Sequence, residues 1–277
     1  MSIPSRIASW IPDRATAGGT VWEGFAPRSR MTRAGRFQIH SLEFGSGEEQ
    51  VVLLHGLSGS AVWWRRNVPA LAKRYRVVLP ELVGFGRSPA AKRLPPVDET
   101  ADLLDDWMGA MQLERVHLVG HSMGGQISIH LAARHPSRLD RLVLVDAAGI
   151  PRPLTPRNAI RFAMEVGPLW RWGDPRFLPT IVRDALNAGP RTVVGAIGHI
   201  LRDDVRPLLA RITAPTLVVW GERDNLVPLL HAGEMRDQIP HAQLAVLRGA
   251  GHNPMVDRAA DFNRLLLRFL GGESVGR

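Results

Sequence analysis

The sequence predicts an α/β protein with a mostly parallel central sheet, flanked by helices and interrupted once by a helical insertion. Three observations carry this expectation. From residue 37 onward, short apolar runs alternate with segments of helical spacing, as in strands feeding a sheet covered on both faces. Residues 149–212 break that rhythm, being rich in Pro and Arg and lacking any convincing strand. The 277 residues, 45% of them hydrophobic and 22% charged, suffice for one α/β domain with an insertion. The same composition excludes a disordered, collagenous or membrane-spanning chain.

Residues 36–43 (RFQIHSLE) alternate like a half-exposed strand, and glycines at 45 and 47 turn the chain. Residues 50–54 (QVVLL) form a buried strand that enters a loop at His55-Gly56. Spacing predicts a helix over 63–75, a strand over 76–80 (RVVLP), and a helix over 98–111 with Leu103, Leu104, Trp107 and Met111 near one face. A strand over 116–119 is followed by a tight turn at 120–125 and a helix over 126–135, which Pro136 stops. Residues 141–145, 216–220 and 244–247 are the remaining buried strands. An amphipathic helix over 262–270 (FNRLLLRFL) closes the chain. These elements divide the sequence into a basic extension (1–36), a core (37–148 and 213–277) and a helical cap (149–212).

The formal charge is +9, and residues 1–36 and 151–211 carry +4 and +5 of it, so the body is neutral and two appendages are basic. The appendages suit a weak contact with an anionic membrane. No zinc-finger or RNA-binding signature accompanies the charge, so no nucleic-acid partner is expected. Cysteine is absent, which removes disulfides, thiolate metal sites and a cysteine nucleophile. No His/Asp/Glu cluster has metal-ligand spacing, so no metal is expected. The N-terminal residues lack an apolar stretch followed by a small-residue cleavage site, and the expected location is cytoplasmic.

The chemistry is concentrated in three loops. Val116-His117-Leu118-Val119-Gly120-His121-Ser122-Met123-Gly124-Gly125 places Ser122 in G-x-S-x-G between a strand and a helix. A serine at so sharp a turn needs glycines beside it, and the following helix aims its N–H groups at the same point. A hydroxyl is a poor nucleophile until a base takes its proton, so a histidine and an orienting carboxylate must follow. His252 lies in GAGHNP just past the presumed last strand, and Asp224 lies in WGERDNLVP past the preceding one. Asp146, at the end of RLVLVD, is the rival acid. His121 is expected to serve packing and His55 to shape its own loop.

On GHSMGG, WGERDNLVP and GAGHNPMVD the chain resembles the α/β-hydrolase superfamily, from about residue 37 to 270. The resemblance implies a Ser122, Asp224, His252 triad and no cofactor. It also implies an oxyanion hole made by the backbone N–H groups of Leu57, after His55-Gly56, and of Met123. Phe85-Gly86-Arg87-Ser88 looks like the family's G-x-G-x-S turn, with Glu81 where relatives usually carry Asp. Serine at the elbow argues against haloalkane dehalogenases and epoxide hydrolases, which place an aspartate there.

The expected function is a carboxylesterase, lipase-like toward short or medium acyl chains, with Phe162, Trp170, Trp172 and Phe177 of the cap lining an apolar substrate pocket. The alternative is a meta-cleavage-product hydrolase, which cuts carbon–carbon bonds in dienoic acids with the same triad. Those enzymes commonly show G-x-G-P-G and a tryptophan after the histidine, where this chain has Gly56-Leu57-Ser58-Gly59-Ser60 and Asn253. A binding or accessory protein on the same fold is the reading of another class. The sequence leaves the oligomeric state open.

Overall fold

The computed structural model describes residues 22–151 and 173–275. An eight-stranded sheet runs through them in the order β1-β2-β4-β3-β5-β6-β7-β8. The strands are β1 (Arg28–Ala34), β2 (Phe37–Phe44), β3 (Gln50–Leu54), β4 (Arg76–Pro80), β5 (Val116–His121), β6 (Leu139–Val145), β7 (Thr216–Gly221) and β8 (Gln243–Leu247). β1 pairs antiparallel with β2 and β2 with β4, and every later pairing is parallel. The central strands read as unbroken apolar runs because both faces are covered. Val51 and Leu53 enter one core cluster with Val119, Val143 and Val219, whereas Val52 and Leu54 enter the other with Leu118, Leu144 and Val218.

The helices, numbered in chain order, are α1 (Val68–Leu71), α2 (Val97–Ala110), α3 (Met123–Arg134), α4 (Leu178–Ala188), α5 (Pro190–Arg202), α6 (Arg206–Leu209), α7 (Leu229–Gln238), α8 (Pro254–Asp257) and α9 (Ala259–Leu270). In α2, Asp98 and Glu99 occupy the first turn, where the helix dipole favours anions, and Leu104, Trp107 and Met108 are buried. α9 buries Phe262, Leu266, Phe269 and Leu270 against the opposite face of the sheet. No helix among the described residues is long and apolar enough to cross a membrane.

Two expectations need correction. Residues 28–34, assigned above to the basic extension, are strand β1, so the sheet begins before residue 37. Its arginines point outward at a sheet edge, where charge is the usual protection against further pairing. The two-residue turn into β2 places Gly35 at φ +50. The helix predicted over 63–75 is a 3-10 turn (Ala61–Trp64) followed by the short α1. Pro69 cannot donate to the carbonyl of Arg65 and so breaks the ladder. Buried Asn67 instead donates its side-chain amide to the Met255 carbonyl (3.0 Å) and to Asn263 Oδ1 (2.7 Å).

Candidate active site

Ser122 lies between β5 and α3 with φ 51° and ψ −116°. That conformation is strained for any residue with a side chain. It is tolerated because Gly120 and Gly124 leave room. A Cβ on Gly120 would sit 2.3 Å from Ser128 Oγ, and one on Gly124 would sit 2.6 Å from the His55 carbonyl oxygen. The first turn of α3 thus packs closely on the backbone at the end of β3 and at His55.

His252 Nδ1 lies 2.8 Å from Asp224 Oδ2, and its Nε2 lies 3.1 Å from Ser122 Oγ. With the proton on Nδ1 donated to Asp224, Nε2 is free to accept from the serine hydroxyl. Asp224 Oδ1 accepts two further bonds, from the N–H groups of Leu226 (2.8 Å) and Val227 (3.1 Å). Burial alone would raise the Asp224 carboxyl. The facing His252 charge and these hydrogen bonds outweigh it and hold the group below its ordinary value. The loops that carry the acid and the base cross closely, with the Arg223 N–H donating to the Ala250 carbonyl at 2.8 Å.

An alpha/beta hydrolase fold family model matches in two overlapping stretches, residues 50–189 and 155–259. The chain belongs to that family. Among curated relatives, this α/β-hydrolase is 31% identical over 266 residues to a 2-hydroxy-6-oxononadienedioate/2-hydroxy-6-oxononatrienedioate hydrolase of Cupriavidus pinatubonensis. The match covers 85% of this chain and 91% of that protein. Among solved structures, an enol-lactonase from Burkholderia xenovorans aligns with a TM-score of 0.74 and 25% identity, over 87% of this chain and all of the other. A meta-cleavage product hydrolase from Pseudomonas fluorescens aligns with a TM-score of 0.71 and 27% identity, over 87% of this chain and 97% of that one.

Several buried side chains of the hydrolase support the three central ones. His55 Nδ1 donates to the Gly56 carbonyl (2.8 Å) and its Nε2 accepts from the Leu82 N–H (3.0 Å), fixing the loop that carries Leu57. The N–H groups of Leu57 and Met123 both border the elbow and have no acceptor among the described residues. His121 does more than fill space. Its Nε2 donates to the backbone carbonyl of His252 at 2.7 Å, and the two rings are 4.9 Å apart. Burial, with the His252 charge second, pushes His121 down to about 3, so it stays neutral beside His252.

Glu81 is also more than a spacer. It accepts from the N–H groups of Ala61 (3.0 Å) and Arg87 (2.7 Å) and contacts His40 Nδ1 (2.9 Å), so three separate segments close on one carboxylate. Asp257 accepts from the Gly251 N–H with one oxygen and from the Asp174 N–H with the other, both at 2.8 Å, which joins the His252 loop to the cap. None of these roles could be read from local patterns, because each links residues far apart in sequence.

Of the four expected substrate-pocket residues, Phe177 alone lies among the described ones. Phe162, Trp170 and Trp172 lie outside the described residues. Phe177 is buried, in edge contact with Trp63 at 5.4 Å between ring centroids. A narrow apolar cavity lies instead beside Met123 and Ile127, walled by Val83, Phe85, Leu94 and Val97, with Ala196 and His199 of α5 above it. His199 is held there by the Leu94 carbonyl at 3.2 Å. The clue in the sequence was faint, being scattered apolar residues in a Gly- and Pro-rich loop.

Donor atoms of Asp146, Asp224 and His252 lie within 4.8 Å of one another, close enough to hold a cation. Two of them already bond to each other, and a metal there would have to break the His252–Asp224 pair.

Proposed function

We propose that this hydrolase cleaves carboxylic esters of hydrophobic, short- to medium-chain acyl groups through an acyl-enzyme on Ser122. The observation that carries the reading is the aligned serine, histidine and aspartate, with a narrow apolar crevice beside Met123 that has no charged side chain in its described lining. Ser122 Oγ attacks the carbonyl carbon while His252 Nε2 takes its proton, and the oxyanion settles on the N–H groups of Leu57 and Met123. His252 then gives the proton to the departing alkoxide. Water attacks the acyl-enzyme, loses its proton to the same nitrogen, and Ser122 leaves reprotonated. Asp224 remains ionised throughout and stabilises the imidazolium. Water is the sole co-reactant. The lactonase neighbour supports the choice, since a lactone is a cyclic ester.

The second reading is carbon–carbon bond hydrolysis of a dienoic acid, favoured by the 31% identity to the dienedioate hydrolase. A dienedioate carries carboxylates, and the described cavity offers them no cation. Hydrolysis of a p-nitrophenyl ester series from acetate to palmitate, beside a dienoic ring-cleavage product, separates the two. The expected result is turnover falling as the chain outgrows the cavity, with Ser122→Ala losing about 10⁶ in kcat. Fast cleavage of the dienoate without ester turnover replaces the ester reading by the carbon–carbon one. Rates below about 10⁻² per second on both would favour a binding protein, since enzymes centre near about 10 per second.

A further inference from the structure

Asp146, at the end of β6, has no part in the cycle above, yet it is fully buried and sits at φ 42°, rare for a residue other than glycine. Its backbone N–H donates to the Val219 carbonyl at 3.0 Å, and its Oδ1 accepts from the Gly221 N–H at 2.9 Å. Both bonds clasp it to β7, just before the loop that carries Asp224. Its second oxygen, Oδ2, is buried with no donor facing it. The Asp146 and Asp224 carboxyl groups and the His252 ring converge within 4.8 Å. Two ionised carboxylates at such range in a buried site repel strongly, and a shared proton converts the repulsion into a hydrogen bond.

The donors already present decide where that proton resides. Asp224 receives three, from Leu226, Val227 and His252, whereas Asp146 receives one, from Gly221. We propose that Asp146 is a protonated positioning residue, whose carboxylic acid donates a hydrogen bond to Asp224 and holds that carboxylate against His252. The proposal rests on the catalytic reading of Ser122, His252 and Asp224. Burial, then the Asp224 charge, pushes the Asp146 carboxyl well above its ordinary value, and Asp257 of α8 adds to the push. The charged or titratable groups bearing on Asp146 are therefore Asp224, His252 and Asp257.

Asp146→Asn keeps the shape, the neutrality and a donor. Its kcat stays within a few-fold of the parent, and the acid limb of the kcat/KM profile does not move. Asp146→Ala leaves Asp224 and the Gly221 N–H without their partner and lowers kcat about 10- to 100-fold, with KM unchanged because Asp146 does not touch substrate.

The deciding experiment is infrared spectroscopy of the substrate-free protein at neutral pH. A protonated-carboxyl C=O band, sensitive to D2O, is expected in the parent and absent in Asp146→Asn. Asp257 is another described carboxyl that burial pushes upward, so Asp257→Asn should retain the band. If Asp146→Asn fails to fold, survival of the band in Asp257→Asn still supports the assignment. Absence of the band in the parent overturns it, as does its loss in Asp257→Asn or its persistence in Asp146→Asn. A fall of about one unit in the acid limb of Asp146→Asn also overturns it, since that shift is what removing an ionised neighbour from beside the base would produce. The spectrum requires no turnover, so failure of the ester reading leaves this test intact.

Discussion

Ser122 can be strained only because Gly120 and Gly124, two residues to either side, have no side chains, and the cost of changing that is local. In Gly124→Ala the new Cβ would meet the carbonyl oxygens of His55 and Leu54 at 2.6 and 2.8 Å. These are backbone atoms of the segment leading to Leu57, and they can yield only by moving the loop that carries it. The expected result is a stability loss of about 1–3 kcal/mol in urea denaturation, with a loss of kcat larger than that change alone would produce. Unchanged kcat would mean that the loop position does not matter to the reaction. Asp224→Asn should cost about 10⁴ in kcat through the wrong His252 tautomer, with the urea midpoint as the control for folding. The meeting of Ser122, Asp224 and His252 was legible from sequence because each follows a strand end and carries its own short motif. His121 and Glu81 were not, since their partners are identified by contact and not by spacing.

The cap presents the same contrast among helices. Its Pro- and Arg-rich composition marked it as an insertion, and the described part is indeed helical in α4, α5 and α6. Apolar periodicity did not say which face is buried. Leu186 of α4 and Val194 of α5 are 75% and 67% exposed, while acidic Asp184 is buried at 4%. Asp184 Oδ2 accepts from Ser60 Oγ (2.7 Å) and Trp63 Nε1 (3.0 Å), and Arg183 bonds to its other oxygen. This carboxylate latches the cap to the turn that follows the Leu57 loop. Asp184→Ala would leave two buried donors unpaired, at about 1–3 kcal/mol for each. The expected outcome is faster hydrogen exchange confined to residues 178–202 and a raised KM. Unchanged exchange there, with a uniform loss of stability, would instead make Asp184 an ordinary core contact.

Buried histidines govern how the folded chain as a unit responds to acid. His55, His117 and His121 are all pushed below the ordinary 6.5 chiefly by burial, His121 to about 3. Below pH 6.5 the unfolded chain takes up protons that the folded chain refuses, so stability falls as pH falls. Each such histidine adds about 1.4 kcal/mol per pH unit within its window, which for His121 runs from 6.5 down to about 3. Glu81 acts later. Against the pull of burial, hydrogen bonds from His40, Arg87 and Ala61 hold it below 4.5. The stability it contributes is present above that value and is lost as pH falls through the folded one. The urea midpoint should therefore fall from about pH 6.5 downward, before ordinary carboxylates titrate. His121→Asn should reduce the slope by one proton, and an unaltered slope would contradict a neutral His121.

The succession of strands, the elbow and the meeting of Ser122, Asp224 and His252 could be inferred from the chain alone, because parallel strands buried on both faces require unbroken apolar runs and a strained serine requires glycines two residues to either side, whereas the order of the strands in the sheet came only with the fold. Folding alone revealed β1, whose arginines hide a paired edge strand, and the cavity beside Met123, assembled from a loop and a cap helix a hundred residues apart. Folding also brought Asp146 to Asp224. Local patterns encode a residue's own backbone and burial, whereas cavities, shared protons and latches exist only once distant segments touch.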